Sequence, residues 1–152
     1  MSDILDEILE AKRTEVEERK ANATLDEVRK MARAADPGGF RETLEGGDID
    51  LIAEIKPKAP SSGRLTQLPP DRIAWVYQEE DAVSCVSVLT DEPYFGMTLD
   101  DFRVVRGVLE KPILRKEFIV DPFQIDESAM AGADAILLIA SVLSPEELGE
   151  FR

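Results

Sequence analysis

The chain has 152 residues, 43% of them hydrophobic, which fits one ordinary globular domain with a sizeable core and excludes a disordered or fibrous class. Its 32 Asp plus Glu against 18 Lys plus Arg give a formal net charge of -14, which argues against nucleic acid as a partner. It contains no histidine, so serine–histidine catalysis and the commonest zinc sites are excluded, and acid–base work falls to carboxylates and lysines. From the N terminus, Ile4, Leu5, Ile8 and Leu9, with Val16 further on, sit at helical spacing among charges and predict an amphipathic helix from Asp3 to about Ala21. A second helix is predicted from Thr24 through Leu25, Val28 and Met31 to about Ala34, with Thr24 and Glu27 spaced as a capping box. Asp36-Pro37-Gly38-Gly39 ends it, a short helical piece follows around Phe40 to Leu44, and Gly46-Gly47-Asp48 turns into the first strand. Residues 1–47 therefore read as an N-terminal helical extension.

From there one unit repeats: strand 50–56, helix 70–80, strand 83–89, helix 98–109, strand 112–116, helix 122–131, strand 135–140. This alternation predicts an α/β fold with a parallel sheet of βαβ crossovers. Helix starts are marked by Pro69-Pro70-Asp71, by Thr98 with Asp101, by Asp121-Pro122 and by Ser144-Pro145 with Glu146 and Glu147. The acidic pairs Asp100-Asp101 and Glu146-Glu147 fall in first turns, where they complement the helix dipole; we favour that over metal binding. The strands are apolar on both faces except at their C-terminal ends, as a sheet covered by helices outside and filled by a core inside requires. The final helix starts near Pro145 and the chain ends at Arg152. Four strands with a clipped fourth helix amount to half of an eight-stranded barrel with two unpaired edges, so residues 48–152 are expected to be the first half of a (β/α)8 barrel, truncated in helix 4.

Charges at strand ends are where parallel barrels keep their chemistry. Strand alternation puts Ile52, Glu54 and Lys56 on one face and Leu114, Lys116 and Phe118 on one face, so an acid and two lysines are expected to converge. The plainer reading is a Glu54–Lys56 ion pair that merely fills the barrel, with Phe118 as ordinary core. Lys56, Lys58, Arg64, Arg115 and Lys116 all fall at or just beyond strand ends, which would focus positive potential on an anionic ligand. Cys85, the single cysteine, lies in the apolar run Ala82–Leu89 and is expected to be a buried structural thiol. No Gly-x-Gly-x-x-Gly, Walker-type loop or Cys-x-x-Cys is present, so no nucleotide or structural metal is expected. No apolar stretch approaches bilayer length and the opening lacks the pattern of a secretory signal, which makes a membrane partner unexpected and a cytoplasmic location the default. The acid excess adds self-repulsion that salt screens, which suggests a salt-rich cytoplasm, the alternative being an ordinary acidic soluble protein.

Four segments together resemble the indole-3-glycerol phosphate synthase family. They are Leu51–Lys56 with Pro60-Ser61, Val88-Leu89-Thr90 with Tyr94-Phe95-Gly96, Leu114–Ile125 and Ala131–Ile139, the third being the most specific. The resemblance spans essentially the whole chain but reaches only the first half of the family's barrel. It implies ring closure of 1-(2-carboxyphenylamino)-1-deoxyribulose 5-phosphate, a sugar phosphate, to indole-3-glycerol phosphate with loss of carbon dioxide and water, and no metal or organic cofactor. It further implies that Lys116 is the general acid on the substrate carbonyl oxygen, that Lys56 contacts the anionic substrate and shares in proton transfer, and that Glu54 holds the lysine and helps orient the anilino group. Phe95, Phe118 and Leu137 match apolar positions that hold the aromatic ring.

The chain departs from the family pattern at Ala59, where serine is usual, at Glu117, where aspartate is usual, and at Pro57, which replaces a commonly basic residue and stiffens the loop. The family's general base on the fifth strand, an asparagine on the sixth and the phosphate loops of the seventh and eighth fall beyond Arg152, so the chain by itself is expected to have little or no cyclase activity. A non-catalytic, self-associating half-barrel is the alternative, pairing its open edges as a homodimer, and a complementary C-terminal half-barrel is the other partner considered. Another sugar-phosphate barrel, of the phosphoribosylanthranilate isomerase type, fits the Lys116 segment less well.

Overall fold

A computed structural model describes residues 4–35, 38–47 and 49–152. Helix α1 (Ile4–Ala21) buries Ile8, Leu9, Lys12 and Val16, an i, i+4, i+8 stripe that includes a lysine. Helix α2 (Leu25–Arg33) packs against the later helix α7 (Pro122–Met130) and buries no residue fully. The capping box predicted at Thr24 does not form: Thr24 holds ψ at 93°, against 140–172° at the three helix starts where a box is made, and its side chain makes no cap bond. The Thr24 carbonyl instead accepts from the Glu27 and Val28 N–H groups, so the helix starts on backbone bonds alone. A single turn, α3 (Phe40–Thr43), follows. The helix start at Asp3, the stop at Asp36-Pro37 and the turn residue Asp48 lie outside the described residues.

Strands β1 (Leu51–Ile55), β4 (Val83–Leu89), β5 (Ile113–Lys116) and β6 (Ala135–Ile136) form one parallel sheet in the order β1-β4-β5-β6. Between β1 and helix α4 (Pro70–Glu79) the chain makes a small antiparallel hairpin, β2 (Lys58–Ala59) with β3 (Gly63–Arg64), turned by Gly63 at φ 68°. The Pro57 carbonyl accepts from the Leu65 N–H at 2.7 Å, closing the base of this hairpin. Helices α5 (Glu92–Phe95), α6 (Leu99–Arg106), α7 and α8 (Pro145–Glu150) complete the alternation. The helix starts expected at Thr98, Asp121 and Ser144 are present, and each is closed by a capping box, with Asp101, Gln124 and Glu147 respectively.

The fourth strand is shorter than its apolar run. Residues 135–140 were expected to be extended, but only Ala135 and Ile136 pair, with Leu114 and Arg115 of β5. Among the described residues nothing pairs with the other edge of β6, and a strand bonded on one side for two residues has little to hold it longer.

Side-chain alternation divides the sheet sharply. Ala53, Ile55, Val86, Val88 and Ile113 point toward the helices and pack with Ala74, Phe102 and Val105 in the main core. On the opposite face the start of β1 is not covered as the sequence suggested, for Ile52 is 43% exposed. Cys85 is fully buried, and burial together with the carboxylates of Asp50 and Asp134 pushes its thiol up, as a structural cysteine requires. Among the described residues no helix is long and apolar enough to cross a membrane.

Candidate active site

Parallel pairing places Glu54 in register with Ser87, and Ser87 with Leu114, so the inner face runs from β1 across β4 to β5. Two residues beyond Leu114, Lys116 lies on that same face. Its long side chain spans the width of β4, where the residue in register with Glu54 is only a serine. Lys116 Nζ reaches Glu54 Oε2 at 2.5 Å, and Lys56 Nζ reaches Glu54 Oε1 at 2.7 Å. One carboxylate thus separates two ammonium groups at the C-terminal rim of the sheet. Their side chains are 28%, 32% and 36% exposed for Glu54, Lys56 and Lys116, so a small molecule has access to all three.

Burial by itself would raise Glu54, but hydrogen bonds from Lys116 and then Lys56 outweigh it and hold the carboxyl below its ordinary value of 4.5. A folded-state value below the unfolded one stabilises the fold above the unfolded value, and that contribution is lost as pH falls through the folded value. Glu54 is therefore expected to stay ionised to lower pH than an ordinary glutamate does. A carbon-detected titration of the Glu54 carboxyl should give a midpoint below 4.5 that rises in Lys116→Met, and an unmoved midpoint would count against the pairing.

Two rings flank this rim. Phe118 follows Lys116 by two residues, Phe95 ends α5, and their centroids lie 6.2 Å apart at an interplanar angle of 34°, a tilted aromatic pair. Gly96 ends α5 at φ 79°, where a Cβ would stand 3.3 Å from the Lys58 Cβ, so both backbone sign and space favour glycine there. Leu137 sits one residue past β6, half-buried and outside the paired segment. The structure therefore joins Glu54, Lys56 and Lys116 through ion pairs and Phe95 to Phe118 through ring contact, while Leu137 remains at the sheet edge.

The basic rim expected from sequence needs correction at Arg115. One residue before Lys116, it points to the opposite face and is fully buried. Its Nη1 donates to Glu127 Oε2 and Ser128 Oγ, each at 3.0 Å, and its Nε to Thr90 Oγ1 at 3.0 Å. Lys58 Nζ is likewise committed, donating to the Pro93 carbonyl at 2.7 Å. Arg64 is exposed in β3. Positive potential at the rim thus rests on Lys56 and Lys116, offset in part by Glu54.

Sequence reasoning also missed a buried polar network beneath the rim. Lys12 of α1 is 1% exposed and pairs with Glu15 at 2.7 Å, Asp91 at 3.1 Å and Glu117 at 3.3 Å. Burial pushes Glu117 up against the pull of Lys12 and Arg115, whereas Lys12, which burial would lower, is held above its ordinary range by Glu117, Glu15 and Asp91. Arg19 at the far end of α1 donates to both Glu127 oxygens, at 3.2 and 3.0 Å. The one signal in the sequence was Lys12 standing four residues from both Ile8 and Val16, on the apolar stripe itself.

A parallel sheet with helices on one face and a charged cluster at the carboxyl ends of its strands defines the (β/α)-barrel class of enzymes, here represented by four strands. A family model described as indole-3-glycerol phosphate synthase matches residues 5–152. A relative of that name from Azospirillum brasilense is 45% identical over all of this chain and 60% of its own length. Relatives of the same name from Rhodopirellula baltica and a Thermoanaerobacter species are 43% and 42% identical, each over 97% of this chain and over 58% and 56% of their own lengths. The chain belongs to the indole-3-glycerol phosphate synthase family. It spans somewhat under two thirds of the length of these curated relatives.

Proposed function

We propose that this chain supplies the acid side of an indole-3-glycerol phosphate synthase site, on which 1-(2-carboxyphenylamino)-1-deoxyribulose 5-phosphate closes its ring. Residues 1–47 act as the helical extension and 48–152 as the first four βα units. Lys116 Nζ donates a proton to the carbonyl oxygen as the carboxyl-bearing ring carbon attacks the carbonyl carbon, so the electron pair of the C=O bond ends as a hydroxyl rather than an alkoxide. Carbon dioxide then leaves and restores the aromatic ring, and loss of water completes the indole. Lys56 meets the anionic substrate, Glu54 holds both ammonium groups in place, and Phe95, Phe118 and Leu137 line the aryl side. The observation that carries this reading is Glu54 bridging Lys56 and Lys116 on an accessible rim, with Phe118 two residues beyond the acid.

The test is to add substrate to the purified chain alone, and to the chain mixed with a C-terminal half-barrel from a relative, following indole-3-glycerol phosphate fluorescence. Ring closure by the mixture and little or none by the chain alone is the expected result. No closure by any well-folded mixture would overturn the reading. A second reading, a self-associating half-barrel without catalysis, is favoured by the exposed apolar residues beside β1: Leu51, Ile52, Leu65, Leu68, Trp75 and Val76. It is recognised by a defined dimer on size-exclusion that has no turnover in any mixture. A cytoplasmic location is part of this reading, and the net charge of -14 fits a salt-rich cytoplasm. The urea midpoint is accordingly expected to rise between dilute buffer and molar potassium chloride, and a flat or falling midpoint would contradict the salt-adapted reading.

A further inference from the structure

Lys12 stands in the N-terminal extension, far in sequence from the strands that carry the rim, yet its ammonium group is spent on two loops that each position an aromatic ring. Its Nζ lies 3.1 Å from Asp91 Oδ2, and the other oxygen of that carboxylate, Oδ1, accepts from the Tyr94 N–H at 2.9 Å. Asp91 is the N-cap of α5, the turn that ends in Phe95. Lys12 Nζ also lies 3.3 Å from Glu117 Oε1, and this same oxygen accepts from the backbone N–H of Phe118 at 2.8 Å. Glu15 takes the third contact, a hydrogen bond at 2.7 Å, while Asp91 and Glu117 are held as ion pairs. Lys12, Asp91 and Glu117 are each 1% exposed. At that depth a charged group fixes geometry rather than being screened by solvent. Two carboxylates drawn to one cation cannot drift apart without one of them giving up its contact with that cation, so the loops bearing Phe95 and Phe118 are tied to a common point.

We propose that Lys12 is a positioning residue that sets how the Phe95 and Phe118 rings meet, and so shapes the wall against which the substrate's aryl group lies. The place of the aryl group rests on the proposed function, while the geometric claim does not. The N-terminal extension is then part of the substrate-fitting apparatus rather than only a cover over the strands. Each arm acts on a different ring, which gives the idea a directional signature that a general loss of stability lacks.

The test is nuclear magnetic resonance on the 152-residue chain with labelled phenylalanine, reading the cross-peaks between the Phe95 and Phe118 rings. Parent protein and Lys12→Arg, which keeps a cation able to reach both carboxylates, are expected to show the inter-ring contact. Lys12→Met is expected to lose it while the amide signals of β4 and β5 persist, and Lys20→Met, which removes a different α1 ion pair, is expected to keep it. Asp91→Asn should shift mainly Phe95 signals and Glu117→Gln mainly those of Phe118. A contact absent from the parent, retained in Lys12→Met or lost equally in Lys20→Met would overturn the proposal. Should Lys12→Met fail to fold, the single-arm variants decide, and movement of both rings together in each of them would overturn it as well. In the mixture with a C-terminal half, Lys12→Met should raise KM more than it lowers kcat. Ring signals that behave as expected in a mixture that never closes an indole would sink the synthase reading and leave the geometric claim standing.

Discussion

Lys116→Ala is expected to slow ring closure in the mixed half-barrels by about 10²- to 10⁴-fold, the range a positioned general acid contributes. The same change should leave stability within about 1 kcal/mol of the parent, because the pair it removes is partly exposed and solvent screens it. Glu54 is not stranded by the loss, since Lys56 Nζ remains 2.7 Å from its other oxygen. The two readouts therefore separate a chemical role from a structural one. A large fall in the urea midpoint with proportionate loss of turnover would assign Lys116 to the fold, and unchanged turnover would remove it from the acid role.

The neighbouring residue should behave in the opposite way. Arg115→Ala is expected to cost about 3–5 kcal/mol, the range for breaking a buried ion pair by deleting one partner. Arg115 is fully buried, and its guanidinium is shared between Glu127 at 3.0 Å and Glu117 at 3.5 Å. Its removal leaves both carboxylates short of a cation, although Arg19 still touches Glu127 and Lys12 still touches Glu117. Adding Glu117→Gln to Arg115→Ala should recover part of the loss, because the second change removes a buried charge left with one cation instead of two. Urea unfolding of the single and double variants measures both effects. A loss under about 1 kcal/mol for Arg115→Ala would mean that the network is open to water, contrary to the burial described.

Arg115 and Lys116 also mark the boundary of what the sequence could reveal. The period of two along a strand places Glu54, Lys56 and Lys116 on one face, and parallel register brings them together once β1, β4 and β5 are adjacent. The same period assigns Arg115 to the other face, yet grouping it with the rim by its position at a strand end ignored that alternation. The helix start at Thr24 was as legible as those at Thr98 and Ser144, but the capping box expected at Thr24 does not form, because ψ there is 93° rather than the extended value of a boxed cap. The β2–β3 hairpin is two residues on each side, too short for any periodicity to announce it. The Lys12 network depends on α1 docking over the ends of β4 and β5, a tertiary fact that no local pattern encodes beyond one lysine on an apolar stripe. The exposure of Ile52 could not be foreseen from composition, because it is as apolar as a core residue of a closed barrel would be.

The central claim is that Lys116 Nζ meets the oxygen of the reacting carbonyl while the aryl ring lies against Phe95 and Phe118. A crystal structure of the mixed half-barrels with a reduced, non-cyclising substrate analogue tests it most directly. The expected result is the analogue's C2 hydroxyl within hydrogen-bond reach of Lys116 Nζ, with the carboxyphenyl ring against the Phe95–Phe118 pair. A hydroxyl held by some other group, with Lys116 still on Glu54 and out of reach, would contradict it.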